Sequence, residues 1–133
     1  MPSVFADTFY FLALLNSRDP AHAKAIAFSR VPRLRFVTTD YVLLEMGDAL
    51  HKPSMRGEFL ALYRLLHNDT AFRIVAGHKS LLQRGVELFK KRQDKEWPLT
   101  DCISFVVMEE EGIREVLTGD QHFEQAGFTA LLQ

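Results

Sequence analysis

The 133-residue sequence has little of several features that mark specialised proteins. It contains one cysteine, Cys102, so it can form neither an internal disulfide nor a cysteine-rich zinc site. Its formal net charge of −1 excludes a histone-like protein that binds nucleic acid through bulk positive charge. The 7 glycines and 5 prolines are scattered and form no linker or repeat. We therefore expect one domain, spanning residues 1–133, in a reducing, cytoplasmic compartment.

The sequence also lacks a segment suited to entering or crossing a membrane. The N-terminal residues include no basic region that would precede an export signal. The apolar run from Phe9 to Leu15 is too short to span a bilayer. We therefore expect no export signal and no membrane anchor.

Charge is divided unevenly along the chain. Residues 1–100 contain 15 basic and 10 acidic side chains, whereas residues 101–133 contain 1 and 7. Two basic groups stand out, and they consist of Arg30, Arg33, Arg35, Lys90, Lys91, Arg92 and Lys95. They could form two edges of a phosphate-contacting surface, but taken alone they are explained more simply as solubilising helix ends.

The apolar residues alternate between the spacing of short strands and that of longer helices. Strands are predicted at Ser3–Asp7, Arg35–Thr38, Phe72–Ala76, Arg114–Thr118 and Phe128–Leu131. Helices are predicted at Thr8–Asn16, Pro20–Ser29, Asp40–His51, Met55–Leu66, His78–Lys91 and Thr100–Glu111. Because parallel strands need long crossover connections, this order predicts an α/β fold. We expect a three-layer α/β/α sandwich with a short central parallel sheet.

Two acidic residues follow predicted strands of this sheet. Asp7 ends the first strand, and Asp120 follows the strand that ends at Thr118. Ligands of such sheets bind beyond the carboxyl ends of the strands, so both residues are candidates for a functional site. Taken singly, each is explained as well by a helix cap or a turn.

Two further acidic residues lie on predicted helices. Glu45 borders the apolar face of its helix, where an exposed glutamate is the alternative and Asp48 is a competing candidate. Asp101 lies in a first turn, on the inward-facing stripe that also contains Ser104 and Phe105. Its alternative role is to complement the helix dipole, which is worth roughly 0.3–1 kcal/mol.

We expect the carboxylates of Asp7, Glu45, Asp101 and Asp120 to converge. Clustered carboxylates repel one another unless cations or protons compensate their charge. Such oxygen ligands suit Mg²⁺ or Mn²⁺, which take the rest of their shell from water and phosphate. The set therefore predicts metal-assisted hydrolysis of a phosphodiester, with Lys or Arg side chains holding the flanking phosphates.

Four segments carry these acidic residues in a characteristic order. They are Ala6-Asp7 after the first strand, Thr38-Thr-Asp-Tyr-Val-Leu-Leu-Glu45, Pro98-Leu-Thr-Asp101-Cys-Ile-Ser104-Phe and Leu117-Thr-Gly-Asp120-Gln-His-Phe123. This order resembles the PIN-domain nucleases, and among them the VapC-type toxins. The resemblance spans essentially the whole chain and is most specific from Trp97 to Phe128.

The resemblance implies more than the residues establish alone. It implies an endoribonuclease, usually dependent on Mg²⁺ or Mn²⁺, and a homodimer that often has a small antitoxin encoded beside it. It also implies that Asp7, Glu45, Asp101 and Asp120 are the metal-binding residues. Two other functions compete with that of a VapC-type toxin: a non-toxin PIN-domain nuclease of RNA processing, and a catalytically silent PIN-like binding module. The second would have lost the acidic residues, and all four are present.

A phosphoacceptor receiver domain is a further alternative of similar length. That class needs an acidic pair after the first strand and an aspartate at the end of the third strand. Here the first strand ends Ala6-Asp7 with no such pair, and the third ends Ile74-Val-Ala-Gly77. The pattern therefore disfavours a receiver domain.

The roles of several neighbouring residues remain open. Asp94 could join or replace a ligand. Thr118 and Ser104 could orient a carboxylate, although hydroxyls bonded to the local backbone are at least as common. His122 could contact a phosphate, but packing beside Phe123 is the favoured interpretation.

The first predicted helix also suggests an assembly. Its apolar residues extend around much of its circumference and include Phe9, Tyr10, Phe11, Leu12, Leu14 and Leu15. One face of a sheet can cover only part of such a helix. We therefore expect a homodimer or a partner helix to cover the rest.

Overall fold

The computed structural model describes residues 2–133, and these form five β-strands and seven α-helices. The strands are Ser3–Ala6 (β1), Arg35–Thr39 (β2), Phe72–Val75 (β3), Glu115–Leu117 (β4) and Thr129–Ala130 (β5). The helices are Thr8–Leu15 (α1), His22–Ser29 (α2), Asp40–Ala49 (α3), Pro53–Asn68 (α4), Lys79–Lys91 (α5), Leu99–Glu111 (α6) and Gln121–Gln125 (α7). Every predicted strand and helix is present, and α7 is an addition. Within residues 2–133, no helix is both long and apolar enough to cross a membrane.

The five strands form one parallel sheet in the order β3-β2-β1-β4-β5. The central strand β1 pairs with β2 on one side, where Val4 lies opposite Phe36. On the other side it pairs with β4, where Ala6 lies opposite Leu117. From β1 the chain adds β2 and then β3 on one side of the sheet. It then adds β4 and β5 on the other side. The predicted α/β fold with a short central parallel sheet is confirmed.

The core surrounds β1, whose residues Val4, Phe5 and Ala6 are all buried. A strand that is buried on both faces reads as a continuous apolar run, which explains why β1 shows no polar alternation. On one flank, the rings of Phe36 and Phe72 stack with their centroids 4.5 Å apart. On the other, Phe105 of α6 meets Phe123 of α7 edge-on at 4.9 Å. This second contact fixes α7 against α6 beside the candidate site.

The bulky side chains of α1 are partly covered within the chain itself. Tyr10 and Phe11 are buried, and the other large apolar residues of this helix are half-buried against the core. The exposed large apolar side chains of the described residues include Leu44 on α3, Leu60 on α4 and Phe89 on α5. The half-buried side chains leave part of the α1 surface open, so the homodimer or partner helix expected there stays a prediction.

Candidate active site

Two acidic residues lie at the carboxyl edge of the sheet, beside its central strand. Asp7 follows β1 directly, and Asp120 lies three residues beyond the end of β4. Because β1 and β4 are paired parallel neighbours, the segments that leave them emerge at the same edge. The topology therefore brings together two carboxylates that are 113 positions apart in the sequence.

Helices α3 and α6 carry the other two acidic residues to this edge. Helix α3 begins immediately after β2, where the hydroxyl of Thr39 accepts a hydrogen bond from the Val42 backbone N–H at 3.1 Å. Its second turn carries Glu45, whose Oε1 accepts a hydrogen bond from Thr8 Oγ1 at 2.5 Å. Asp101 lies in the first turn of α6 and is buried. Glu45 thus meets the residue that directly follows Asp7.

The pKa values of Asp7 and Asp101 respond to burial and to the neighbouring carboxylates. Burial raises the pKa of Asp7 to about 7, with further contributions from the charges of Asp101 and Glu45. Burial also raises the pKa of Asp101 to about 6; a hydrogen bond with His122 opposes this shift, and the charges of Asp120 and Glu45 add to it. The structure therefore brings together all four acidic residues selected from the sequence.

Each of these carboxylates has one oxygen held by a donor of the chain. The pairs are Thr118 Oγ1 with Asp7 Oδ2 (2.9 Å), Thr8 Oγ1 with Glu45 Oε1 (2.5 Å), His122 Nδ1 with Asp101 Oδ2 (3.0 Å) and the His122 backbone N–H with Asp120 Oδ1 (2.9 Å). In each of the four carboxylates, the other oxygen accepts none of these hydrogen bonds. The second oxygen of Asp7, Oδ1, is fully buried without any hydrogen-bond partner.

Helix capping explains Asp120 but not Asp7. Asp120 caps α7, because its Oδ1 accepts the hydrogen bond from His122. Asp7 occupies the N-cap position of α1, yet its side chain makes no capping hydrogen bond. A buried carboxylate oxygen without a donor is costly unless a proton or a cation compensates it. Asp7 is therefore placed for something other than the stability of α1.

A divalent cation fits this arrangement. Asp7 Oδ1 supplies a buried oxygen that lacks a partner, and binding a cation would remove that cost. Ligand atoms of Asp101, Asp120 and His122 all lie within 4.8 Å of one another. A donor set rich in carboxylate oxygen suits hard divalent cations.

The other residues considered from the sequence differ in whether they contact the acidic group. Asp94 lies apart from the acidic group, since its carboxylate pairs with Arg92 at 2.9 Å and its side chain is 59% exposed. Asp48 is exposed on α3. Ser104 donates to the backbone carbonyl of Thr100, as its alternative predicted. Thr118, by contrast, donates to Asp7 and so orients a carboxylate of the site.

His122 is the site residue whose position the sequence analysis missed. The imidazole contacts Asp101 and Asp120, whereas Phe123 turns inward and is buried in the core. The preference for packing of His122 beside Phe123 was therefore wrong. A usable signal was present: a short helix capped by Asp120 turns residues 122 and 123 in different directions.

Comparison with known proteins agrees with this fold. The family described as the PIN domain matches residues 4–129, and the chain belongs to this family. The 23S rRNA-specific endonuclease VapC20 of Mycobacterium tuberculosis is 28% identical over 127 residues, which cover 94% of this chain and 95% of that protein. The predicted resemblance to PIN-domain proteins of the VapC type is confirmed.

Solved structures show the same fold. The crystal structure of VapC20 of Mycobacterium tuberculosis, a Sarcin-Ricin loop cleaving toxin, has a TM-score of 0.86 at 24% identity, over 98% of this chain and 99% of that one. VapBC2 from Rickettsia felis, bound to a DNA fragment from its promoter, has a TM-score of 0.66 at 10% identity, over 97% and 96%. FitAcB from Neisseria gonorrhoeae has a TM-score of 0.65 at 14% identity, over 98% and 96%.

The raised pKa of Asp7 predicts how the metal-free protein responds to pH. The carboxyl titrates at about 7 in the folded protein and at 3.8 without the fold, so the folded state holds its proton more tightly. The stabilisation that results is present at low pH and is lost as the pH rises toward 7. In EDTA, the gain in melting temperature of Asp7→Asn over wild type should therefore grow from about pH 4 to about pH 7 and level off at higher pH. A gain that stays constant across this range would contradict the prediction.

Proposed function

We propose that the protein is a divalent-metal-dependent endoribonuclease and the toxin of a type II toxin–antitoxin pair, with residues 1–133 as a single PIN-like nuclease domain. The observation that carries this proposal is the group of four carboxylates, one oxygen of which, Asp7 Oδ1, is buried without a donor. Membership of the PIN family and the likeness to an rRNA endonuclease support the activity. We expect it to act in the cytoplasm, where its RNA substrate is found.

In this proposal, Asp7, Glu45, Asp101 and Asp120 hold Mg²⁺ or Mn²⁺ through the oxygens that the chain leaves without donors. When bound, the cation supplies a hydroxide nucleophile near neutral pH and neutralises charge on the phosphate. Burial of Asp7 and Asp101 strengthens their attraction for a cation, because the local dielectric is low. Thr8 holds the carboxylate of Glu45, and Thr118 holds that of Asp7. These side chains therefore lose little further conformational freedom when the cation binds.

Basic side chains line a cavity that reaches α6, the helix that carries Asp101, and they suit the backbone of RNA. A cavity of about 500 Å³ is lined by Lys90 and Lys95, and by Cys102 in the α6 turn that carries Asp101. Within residues 2–133, neither lysine forms an ion pair, whereas Arg92 in the same cavity is paired with Asp94. In this proposal the lysines hold phosphates that flank the cleaved bond.

The likeness to VapC20 makes 23S rRNA the first substrate to test. The purified protein should cut 23S rRNA at one site in Mg²⁺ or Mn²⁺, and primer extension will locate the cut. Cleavage within the sarcin–ricin loop is the expected result. Cleavage of another RNA instead would support the nuclease activity and exclude 23S rRNA as its target. Intact RNA across rRNA, tRNA and mRNA, with folded protein and added metal, would contradict the proposed activity.

We also propose a homodimer and a small cognate antitoxin as partners. The likeness to VapC-type proteins supports both. Exposed apolar side chains on α3, α4 and α5, including Leu44, Leu60 and Phe89, leave surface that a protein partner can cover.

A further inference from the structure

We propose that His122 is a positioning residue, which fixes the carboxylates of Asp101 and Asp120 for cation binding without ligating the cation itself. The inference rests on the proposed function, since it concerns how the same site is held in shape. It is carried by the hydrogen bonds of one imidazole nitrogen and by the packing that holds the ring.

The imidazole lies between two acidic side chains. Nδ1 of His122 is 3.0 Å from Asp101 Oδ2 and 3.2 Å from Asp120 Oδ1. Ionised carboxylates only accept hydrogen bonds, so Nδ1 carries the hydrogen and donates it to this pair of oxygens. A nitrogen that carries a hydrogen has no lone pair for a metal, so Nδ1 acts on the cation through the two carboxylates. The lone pair lies on Nε2, for which the structure shows no contact with the acidic group within residues 2–133.

Asp101 depends on this contact more than Asp120 does. His122 is the one hydrogen-bond partner of the Asp101 side chain within residues 2–133. Asp120 has a second anchor, because its Oδ1 also accepts the backbone N–H of His122. The terminal torsion of an aspartate is soft, so the Asp101 carboxylate would rotate freely without the imidazole.

The same contact completes a chain of hydrogen bonds across the site. Thr118 Oγ1 donates to Asp7 Oδ2 and accepts the backbone N–H of Asp120 at 3.1 Å. Asp120 then contacts His122, and His122 reaches Asp101. Three of the four acidic residues are thus joined through Thr118 and His122. Losing the imidazole would disconnect Asp101 from this chain.

The ring itself is held by the packing of α7. Phe123 is fully buried and meets Phe105 of α6 edge-on at 4.9 Å, which fixes α7 against the helix that carries Asp101. The cap by Asp120 fixes the first turn of α7. A donor on α7, fixed against the helix that carries its acceptor, is suited to hold that carboxylate in one orientation.

Substitution of His122 separates positioning from a general structural role. Asparagine places its amide nitrogen at the same number of bonds from Cα as Nδ1, so His122→Asn keeps a donor facing Asp101. Alanine removes the donor, and glutamine moves it one bond further away. The Mn²⁺ affinity of His122→Ala should fall about tenfold or more, the range for partners that orient metal ligands, while His122→Asn stays near wild type. At saturating Mn²⁺, both variants should recover most of the wild-type kcat.

The affinities are measured by calorimetric titration of Mn²⁺ into metal-free protein, with electron paramagnetic resonance of the Mn²⁺ complex. His67→Ala, which alters an exposed histidine on α4, is the matched control and should bind like wild type. If His122→Ala does not fold, weaker binding by His122→Gln than by His122→Asn carries the same information.

Three results would overturn the inference. Wild-type affinity in folded His122→Ala would show that the imidazole is dispensable. Nitrogen hyperfine coupling in wild type that disappears in His122→Asn would make His122 a direct ligand. Binding by His122→Asn as weak as that of His122→Ala would exclude the donor role. A wild type that binds no Mn²⁺ and cleaves no RNA would instead reject the proposed function.

Discussion

Replacing Asp7 or Asp101 with asparagine should abolish RNA cleavage while leaving the protein folded. We expect a loss of more than about a hundredfold, which exceeds the ten- to hundredfold typical of residues that only orient a ligand. Asparagine matches aspartate in size but lacks the charge that attracts a cation. Both residues are buried among like charges with raised pKa values, so neutral side chains should also raise the melting temperature of the metal-free protein near neutral pH.

Matched controls make this prediction specific. Asp94→Asn and Asp48→Asn remove exposed carboxylates outside the acidic group and should cleave like wild type. Cleavage is measured on the same RNA by gel, and folding by circular dichroism. Equal cleavage by wild type and Asp101→Asn would indicate a contaminating nuclease. Unfolding of both Asp7→Asn and Asp101→Asn would indicate that these carboxylates serve the fold instead.

Removing divalent cations should stop cleavage by the wild-type protein completely. No lysine or histidine of the described residues is placed to replace the cation among these carboxylates, apart from His122, which donates to two of them. Mg²⁺ or Mn²⁺ should restore cleavage after EDTA treatment, because each activates water and neutralises phosphate charge. Ca²⁺ should restore it poorly, since its longer and looser coordination activates water less.

The same cations should stabilise the fold, which gives a readout independent of RNA. Because they bind the folded state, Mg²⁺ and Mn²⁺ should raise the wild-type melting temperature with increasing concentration. The shift should be much smaller in Asp7→Asn, which lacks the charge of one proposed ligand. Full cleavage in EDTA, or equal thermal shifts in both proteins, would contradict a metal role for this site.

Much of the site could be predicted from the sequence because parallel topology is restrictive. A continuous apolar run such as Val4-Phe5-Ala6 indicates a strand that is buried on both faces. The residue that follows such a strand lies at the carboxyl edge of the parallel sheet. Asp7 and Asp120 are brought together by this rule alone. Glu45 and Asp101 were weaker candidates on spacing alone, because an exposed flank or a helix dipole also accounts for them, and the resemblance to a family added support.

The remaining features depend on contacts that no local pattern encodes. Helix α7 is five residues long, too short for a periodic signal, so the direction of His122 could be predicted only by first recognising Asp120 as a helix cap. The apolar circumference of α1 is covered in part by α2, α3 and the sheet, and the partner expected on the rest of it stays a prediction. Beyond the third strand, where a receiver domain would carry an aspartate, the chain has Gly77. Its backbone N–H donates a hydrogen bond to the Asp40 carboxylate at 2.8 Å.

The most direct test of the proposed metal site is the position of Mn²⁺ in crystals grown with the cation and a non-cleavable RNA analogue. Anomalous scattering locates manganese without assuming its ligands. The account predicts a peak among Asp7, Glu45, Asp101 and Asp120, with Asp7 Oδ1 as one ligand at about 2 Å. It also predicts that His122 Nδ1 stays on the carboxylates rather than on the metal. Manganese bound elsewhere at saturating Mn²⁺, with no peak among these four carboxylates, would contradict the account.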